Sequence, residues 1–415
     1  HFDPSLFMNA KSLSLDSAAG NVPRGTALPW RARLVFRLLE RMEVGALHLE
    51  LPDGRAYRFG AGEPTAAIAI HDWAVFTEVT ARGDVAFAEA FMRGAWTSPD
   101  PAALFDVLAR NRAALERAVY GNVFGRWFDR LRHLLRSNTR AGSRKNIAAH
   151  YDLGNAFYAL WLDRSMTYSS ALFDGDATRS LASAQTAKYA RVLERLSVQP
   201  GQHILEIGCG WGGFAEYAVR TADVRVTGIS LSREQLRFAE ARAIEGGFAD
   251  RAQFEYRDYR DSSGRYDHVV SIEMYEAVGE RYWPDYFAAI KRLLTPRGKA
   301  VIQAITIDEL LFERYRAGSD FIQQYVFPGG MLASPARFEA EARSQGLEVR
   351  DAFRFGADYA RTLRHWRDAF VNRLQEVRAQ GFDERFVRMW ALYLAYCEAG
   401  FTSGSTDVYH YELSA

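Results

Sequence analysis

Glu206-Ile207-Gly208-Cys209-Gly210-Trp211-Gly212-Gly213 is the stretch whose reading decides the fold. It begins inside an apolar run, His203-Ile204-Leu205-Glu206-Ile207, that reads as a strand. It leads into Phe214–Arg220, whose apolar spacing predicts a helix. Strand, glycine turn and helix in that order put the turn beyond the carboxyl end of a strand, where open parallel sheets bind ligands. Gly208 and Gly210 permit positive φ and a close backbone approach, and Gly213 lets the next helix pack near the strand. The spacing Gly208-x-Gly210-x-x-Gly213 matches the dinucleotide fingerprint, and a phosphate would suit such a turn as well.

Working outward, strands and helices alternate. Val224–Ile229 reads as a second strand, Arg233–Ile244 as a helix and Ala252–Tyr256 as a third strand. Tyr266–Ile272 is a fourth strand, a helix lies near Pro284–Leu294, and Lys299–Ile305 is a fifth strand. This alternation predicts an α/β, Rossmann-like domain with a parallel sheet covered on both faces. The second strand ends in Gly228-Ile229-Ser230 and offers no carboxylate to a ribose, as an NAD site would. Glu206, two residues before the first glycine, is a habit of S-adenosylmethionine (SAM) sites. Together these two features favour SAM over NAD or phosphate, and a tight turn without a ligand is the bland alternative.

Upstream, residues 1 to about 120 read as a small α+β domain. Leu47-His48-Leu49-Glu50-Leu51 alternates like a strand, Pro52–Arg55 is a turn, Tyr57–Gly60 begins a second strand, and Ala67–Ile70 fits a third. Apolar residues then recur at helical spacing in Trp73–Thr80 and Phe87–Met92. Residues 121–147 form a bridge in which Arg126, Arg130, Arg132, Arg136, Arg140, Arg144 and Lys145 alternate with Trp127, Phe128, Leu131, Leu134 and Leu135. The bridge suits a solvated amphipathic linker or a helix laid on an anionic membrane surface. Residues 148–415 form the domain that carries the glycine turn.

At 415 residues the chain has room for two or three domains. A net charge of +1 gives no argument for nucleic acid. Cys209 and Cys397 lie too far apart for a redox or zinc pair, and no His/Cys/Asp cluster has metal-ligand spacing, so no metal is expected. A reduced, cytoplasmic setting follows as the simple expectation. No secretory signal is visible, and no apolar run reaches the roughly 18 residues of a membrane span. His1-Phe2-Asp3-Pro4 is an odd translation start; Met8 reads as the native one, with residues 1–7 a remnant.

Further motifs punctuate the chain: Leu51-Pro52-Asp53-Gly54-Arg55, Gly83–Trp96, Asn146–Asn155, Met166-Thr167-Tyr168-Ser169-Ser170 and Gly228–Gln235. They continue with Asp258-Tyr259-Arg260-Asp261, Glu276-Ala277-Val278-Gly279, Tyr325–Gly330, Gly356-Ala357-Asp358-Tyr359 and Tyr396–Phe401. In this order the sequence resembles the cyclopropane fatty acid synthase family over nearly its whole length. The resemblance implies a SAM-dependent methyltransferase that adds the methyl carbon across the cis double bond of an unsaturated acyl chain in a membrane phospholipid. By position it implies that Tyr168, Ser169, Glu206, Gly208, Gly210, Gly213, Ser230, Ser232, Gln235, Asp258 and Tyr259 hold SAM. Ser230 and Gln235 would face the ribose, and Asp258 and Tyr259 the adenine. It also implies a homodimer, with the first domain aiding lipid contact, associated peripherally with the cytoplasmic face of the membrane.

The same resemblance implies chemistry at Glu276. Attack by an alkene leaves a carbocation, which aromatic faces stabilise without trapping it. Tyr275, Tyr325, Phe327, Phe353 and above all Tyr359 are candidates for that role. A base then removes a proton from the added methyl group and the ring closes. In the family the base is a bound bicarbonate in a cage of cysteine, glutamate, histidine and tyrosine. The matching positions are Ser170, Glu276, Gln303 and Tyr359, with Cys397 matching a further family cysteine near the site. Ser170 and Gln303 depart from the pattern, and the histidine often found after the glutamate is Ala277. Tyr-Ser-Ser, Glu-Ala-Val-Gly and the strand glutamine are similar to the plant-type branch, which makes cyclopropane rings. The departures leave a methylene- or methyl-branched (or furan-precursor) chain open besides a ring; the competing functions are a SAM methyltransferase for a soluble small molecule and a catalytically dead lipid-binding module.

Overall fold

The computed structural model describes residues 28–119 and 153–415. The expected bridge at 121–147, the candidate start Met8 and His150 lie outside the described residues. The chain divides into two compact units.

The first unit gathers residues 28–119 together with 318–321 and 367–403. Its sheet contains β1 (Gly45–Glu50), β2 (Ala56–Ala61), β3 (Thr65–Ile70) and β4 (Trp96–Thr97) in the order β2-β1-β3-β4. Leu47, Leu49 and Leu51 alternate onto the buried face, as the sequence predicts. Gly54, at φ +81°, closes the β1–β2 hairpin. The two helical stretches expected after β3 join as Ala74–Met92, broken at Gly83 (φ 63°, ψ −137°), so their apolar periods fall out of step. Asp100 caps the helix Pro101–Arg110 by accepting the N–H of Ala102, and Pro101 needs no partner there. The helix Glu384–Thr402 belongs to this unit, where Tyr396 meets the edge of Phe105 at 5.3 Å. A linear division at residue 148 had placed that helix in the catalytic domain. It is an apolar helix whose buried face includes Val387, Trp390 and Leu394, and sequence order does not say which core receives it.

The second unit gathers residues 153–317, 322–366 and 404–415. Its strands are β5 (His203–Ile207), β6 (Arg225–Ser230), β7 (Ala252–Tyr256), β8 (Tyr266–Ile272), β9 (Leu294–Ile307), β10 (Glu348–Arg354) and β11 (Thr406–Ser414). They lie in the order β10-β11-β9-β8-β5-β6-β7. β5 pairs in parallel with both β6 and β8, whereas β11 runs antiparallel to β9 and β10. The expectation of a purely parallel sheet is therefore corrected at one strand, because apolar pattern reports burial and not direction. Ile204, Val226, Val270 and Val301 pack under the helices Leu181–Leu196 and Gly213–Ala222. Leu205, Val269, Ala300 and Ile302 pack on the opposite face, against the helix Trp283–Leu293 and Phe338. Burial on both faces is why these strands read as unbroken apolar runs. The chain winds outward from β5 in one direction through β6 and in the other through β8, so the glycine turn sits at the switch point.

Candidate active site

A cleft opens at the carboxyl ends of β5, β6 and β8. Tyr168, Ser169, Glu206, Gly208, Gly210, Gly213, Ser230, Gln235, Asp258 and Tyr259, all expected to hold SAM, line it. Ser232 does not. Its Oγ instead accepts the N–H of Gln235 at 3.3 Å as the cap of the helix Arg233–Glu245, while Ser230 Oγ donates to Gln235 Oε1 at 3.3 Å.

Gly208 and Gly210 have φ of +84° and +52°. A Cβ on Gly208 would lie 2.9 Å from Met274 Cγ, whereas one on Gly210 would meet nothing within 4 Å and would project into open space. At Gly213 a Cβ would lie 2.9 Å from the Tyr189 hydroxyl and 3.2 Å from the Ser165 carbonyl. Gly213 thus admits the helix Leu181–Leu196 and the loop at Ser165, rather than the strand. The close approach to β6 is made by Cys209, whose Cβ would stand 2.8 Å from a Cβ on Gly228. Burial pushes the Cys209 thiol well above its usual range, so it packs as a small apolar group.

Glu206 is buried and its Oε2 has no partner. Burial raises its pKa well above the usual carboxylate value, opposed by Lys188. Lys188 is itself buried and donates from Nζ to Ser169 Oγ at 2.6 Å. Its pKa falls to about 7 through desolvation, against the pull of Glu273, Asp163 and Glu206. An orphaned carboxylate oxygen beside an open glycine turn suits a cationic ligand, and SAM carries an ammonium and a sulfonium. Ser230 and Gln235 supply polar atoms for a ribose, so the residues present fit SAM. Asp258 is held by its own loop: it accepts the Arg260 N–H at 3.0 Å and pairs with the Arg260 guanidinium at 2.6 Å.

Ser170, Gln303 and Tyr359, expected to share a cage with Glu276, do meet, but around Glu273. Glu273 Oε1 accepts the Ser170 N–H at 2.8 Å and Gln303 Nε2–H at 2.7 Å; its Oε2 accepts the Tyr359 hydroxyl at 2.6 Å. The Glu273 N–H also donates to the Gln303 carbonyl at 2.8 Å, so the end of β8 and the middle of β9 bond twice. Glu273 adopts φ +50°, a left-handed conformation that a glutamate holds only against a cost of roughly 1 kcal/mol or more. Behind it, buried His410 on β11 lies with Nε2 2.8 Å from Gln303 Oε1. Burial drives the His410 pKa well below its usual value, so the imidazole is neutral, and Nε2–H is the donor that fixes the amide. Glu273 lines the cleft together with Met274 and Ala277.

Glu276 follows in a single 3-10 turn, Tyr275–Ala277, and its Oε1 accepts the Ile305 N–H. Burial, reinforced by the charge of Glu273, raises its pKa to about 8. Tyr275 is core, stacked on Trp283 at 5.4 Å, and Phe353 lies under the Arg191 guanidinium at 3.7 Å. Cys397 lies on the helix Glu384–Thr402 of the first unit, not in the unit that holds this cluster. Among the described residues no group of His, Cys, Asp and Glu could hold a metal ion. Sequence reasoning missed Glu273; the available signal was its place directly at the carboxyl end of a central strand.

The model of a family described as mycolic acid cyclopropane synthetase matches residues 138–411. A tuberculostearic acid methyltransferase of Mycobacterium tuberculosis, UfaA1, is 40% identical over 97% of this chain and 96% of its own. A cyclopropane-fatty-acyl-phospholipid synthase of Escherichia coli is 33% identical over 82% of this chain and 85% of its own. The solved structure of mycolic acid cyclopropane synthase CmaA1 complexed with SAH and CTAB superposes with a TM-score of 0.62. That match has 29% identity and covers 66% of this chain and 98% of the other.

Proposed function

The chain belongs to the mycolic acid cyclopropane synthetase family of SAM-dependent methyltransferases, and from that premise we propose that it methylates the cis double bond of an unsaturated fatty acyl chain in a phospholipid, leaving a methylene-branched product. The observation that carries acyl methylation is a methyl-donor cleft whose wall includes a half-buried, hydrogen-bonded carboxyl group at Glu273. The branched outcome is supported by the likeness to a tuberculostearic acid methyltransferase along almost the whole chain. Ring closure is the second reading, favoured by the likeness to the E. coli synthase.

When bound, SAM supplies an electrophilic methyl carbon. An alkene is a weak nucleophile, so the site must align it and exclude water; positioning of that kind accounts for several kcal/mol of a barrier. Ile229, Ile272, Met274 and Val278 give the cleft an apolar wall suited to an acyl chain. Attack leaves a cation on that chain. If the added carbon then loses a proton directly, a ring closes; if a hydride first shifts so that the cation sits on the carbon bearing the added group, loss of the same proton leaves a methylene branch. Ring and methylene branch are isomers of one mass. The test is therefore proton NMR of lipids from cells expressing the protein, where cyclopropane protons lie upfield and exocyclic methylene protons in the vinyl region. An unmodified lipid profile would sink both readings.

The Arg and Lys run from Arg126 to Lys145 supports peripheral contact with anionic lipid at the cytoplasmic face. We read the active form as a homodimer, which light scattering of the purified chain tests.

A further inference from the structure

The resemblance implies a bicarbonate held by Ser170, Glu276, Gln303 and Tyr359, and these residues do not fit it. Their donors are already engaged: the Ser170 N–H, the Gln303 amide and the Tyr359 hydroxyl all point at Glu273. Gln303 carries no charge and His410 behind it is neutral, while Lys188, the cation that acts on Glu273, donates to Ser169 and is shared with Glu206. The charge of Glu273 already pushes up the pKa of the neighbouring Glu276, and a further anion in that space would meet the same repulsion.

We propose that Glu273 is the resident general base, a side chain of the protein standing where the family places an exogenous anion, and that turnover needs no dissolved bicarbonate. The proposal rests on the acyl-methylation reading above. A carboxylate offers about four acceptor sites. Oε1 uses two, for Ser170 and Gln303, and Oε2 uses one, for Tyr359. One site on Oε2 is left to take a proton, in a residue on the cleft wall. In the step, a C–H bond of the added methyl carbon breaks and its proton moves to Oε2. The electron pair of that bond closes the ring onto the cationic carbon or, once a hydride shift has moved the cation to the carbon bearing the methyl, becomes the new C=C bond of a methylene branch. The carboxylate becomes a neutral acid and returns the proton to water after product leaves. Burial raises the Glu273 pKa, which suits a base, while three hydrogen bonds and the charge of Lys188 oppose that rise, and the left-handed backbone at Glu273 turns the side chain off the strand into the cage.

The test uses the full-length chain, vesicles of monounsaturated phosphatidylethanolamine and phosphatidylglycerol, and methyl-labelled SAM. Label in lipid is measured in buffer purged of carbon dioxide and in the same buffer with added bicarbonate. The expected result is wild-type turnover equal in the two buffers within about twofold. Glu273→Gln is expected to lose at least about a hundredfold in kcat, the usual worth of a positioned base. It should still bind S-adenosylhomocysteine as tightly as wild type by calorimetry. The proposal is overturned if wild-type turnover collapses on purging and returns with bicarbonate, or if Glu273→Gln works within a few-fold of wild type. Where the variant no longer binds S-adenosylhomocysteine, the purging experiment on the wild-type chain decides. A wild-type chain that leaves the lipid unlabelled in both buffers overturns the acyl-methylation reading itself, and the proposal with it.

Discussion

Glu273 and Glu276 stand three residues apart, both half-buried, with different duties set by their partners. Glu273 has three donors that oppose the rise in its pKa caused by burial. Glu276 has the Ile305 N–H and the repulsion of Glu273, and at a pKa of about 8 it is a neutral acid at pH 7. Glu276→Gln should therefore keep activity within about tenfold, in contrast to Glu273→Gln, since a glutamine still accepts from Ile305. The same group makes stability depend on pH. Its folded pKa is raised, so the folded state holds the proton longer and stability falls as pH rises from the ordinary 4.5 to about 8. Thermal melts should show Glu276→Gln gaining on the wild type from pH 5 to pH 9; a constant difference would refute the assignment. Tyr359→Phe removes a bond that lowers the Glu273 pKa. The acid limb of its pH–kcat profile should move to higher pH, with a loss of roughly tenfold near neutrality. Matching motif to motif drew attention to Glu276, because the family glutamate falls there. Finding Glu273 required the cage, whose members come from residues 170, 303 and 359, and one sequence shows no such convergence.

At the scale of elements, the glycine turn and the strands β5 to β9 were legible because each is a short apolar run bounded by turn residues. β10 and β11 were not. β10 alternates half-buried and exposed residues, and β11 mixes His410 and Glu412 among its apolar positions, so neither has the look of a buried strand. Yet β11 delivers His410 to Gln303. His410→Phe keeps a ring but removes the donor that orients the amide. We expect kcat to fall roughly tenfold, the worth of one hydrogen bond, with KM for SAM unchanged in steady-state assays. On the other side of the sheet, Gly208→Ala puts a Cβ 2.9 Å from Met274 Cγ at a φ of +84°. That variant should bind S-adenosylhomocysteine at least about tenfold more weakly by calorimetry, through a strained turn.

For the molecule as a whole, the sequence reading found two domains and a basic bridge, and the first unit proved composite. The helix Glu384–Thr402 joins it from far along the chain, carrying Cys397 with it. A linear scan cannot assign such a helix, since an apolar face fits any apolar core. Replacing Arg126, Arg130, Arg132 and Arg136 by Gln should lower co-sedimentation with anionic vesicles severalfold and flatten its salt dependence, while leaving neutral vesicles unaffected. Equal sedimentation of the two proteins would remove the bridge from the membrane contact. Among the described residues no helix is long and apolar enough to cross a membrane. The antiparallel strand β11 has a consequence for how the enzyme comes into being. β10 leaves the ribosome well before β11, yet in the finished sheet it is separated from β9 by that later strand. The sheet edge cannot close, and Gln303 has no His410 to orient it, until β11 has been translated. A nascent chain halted before β11 would hold the glycine turn and the strands around it but lack the means to finish turnover, so competence arrives late in biosynthesis, after the capacity to bind the methyl donor.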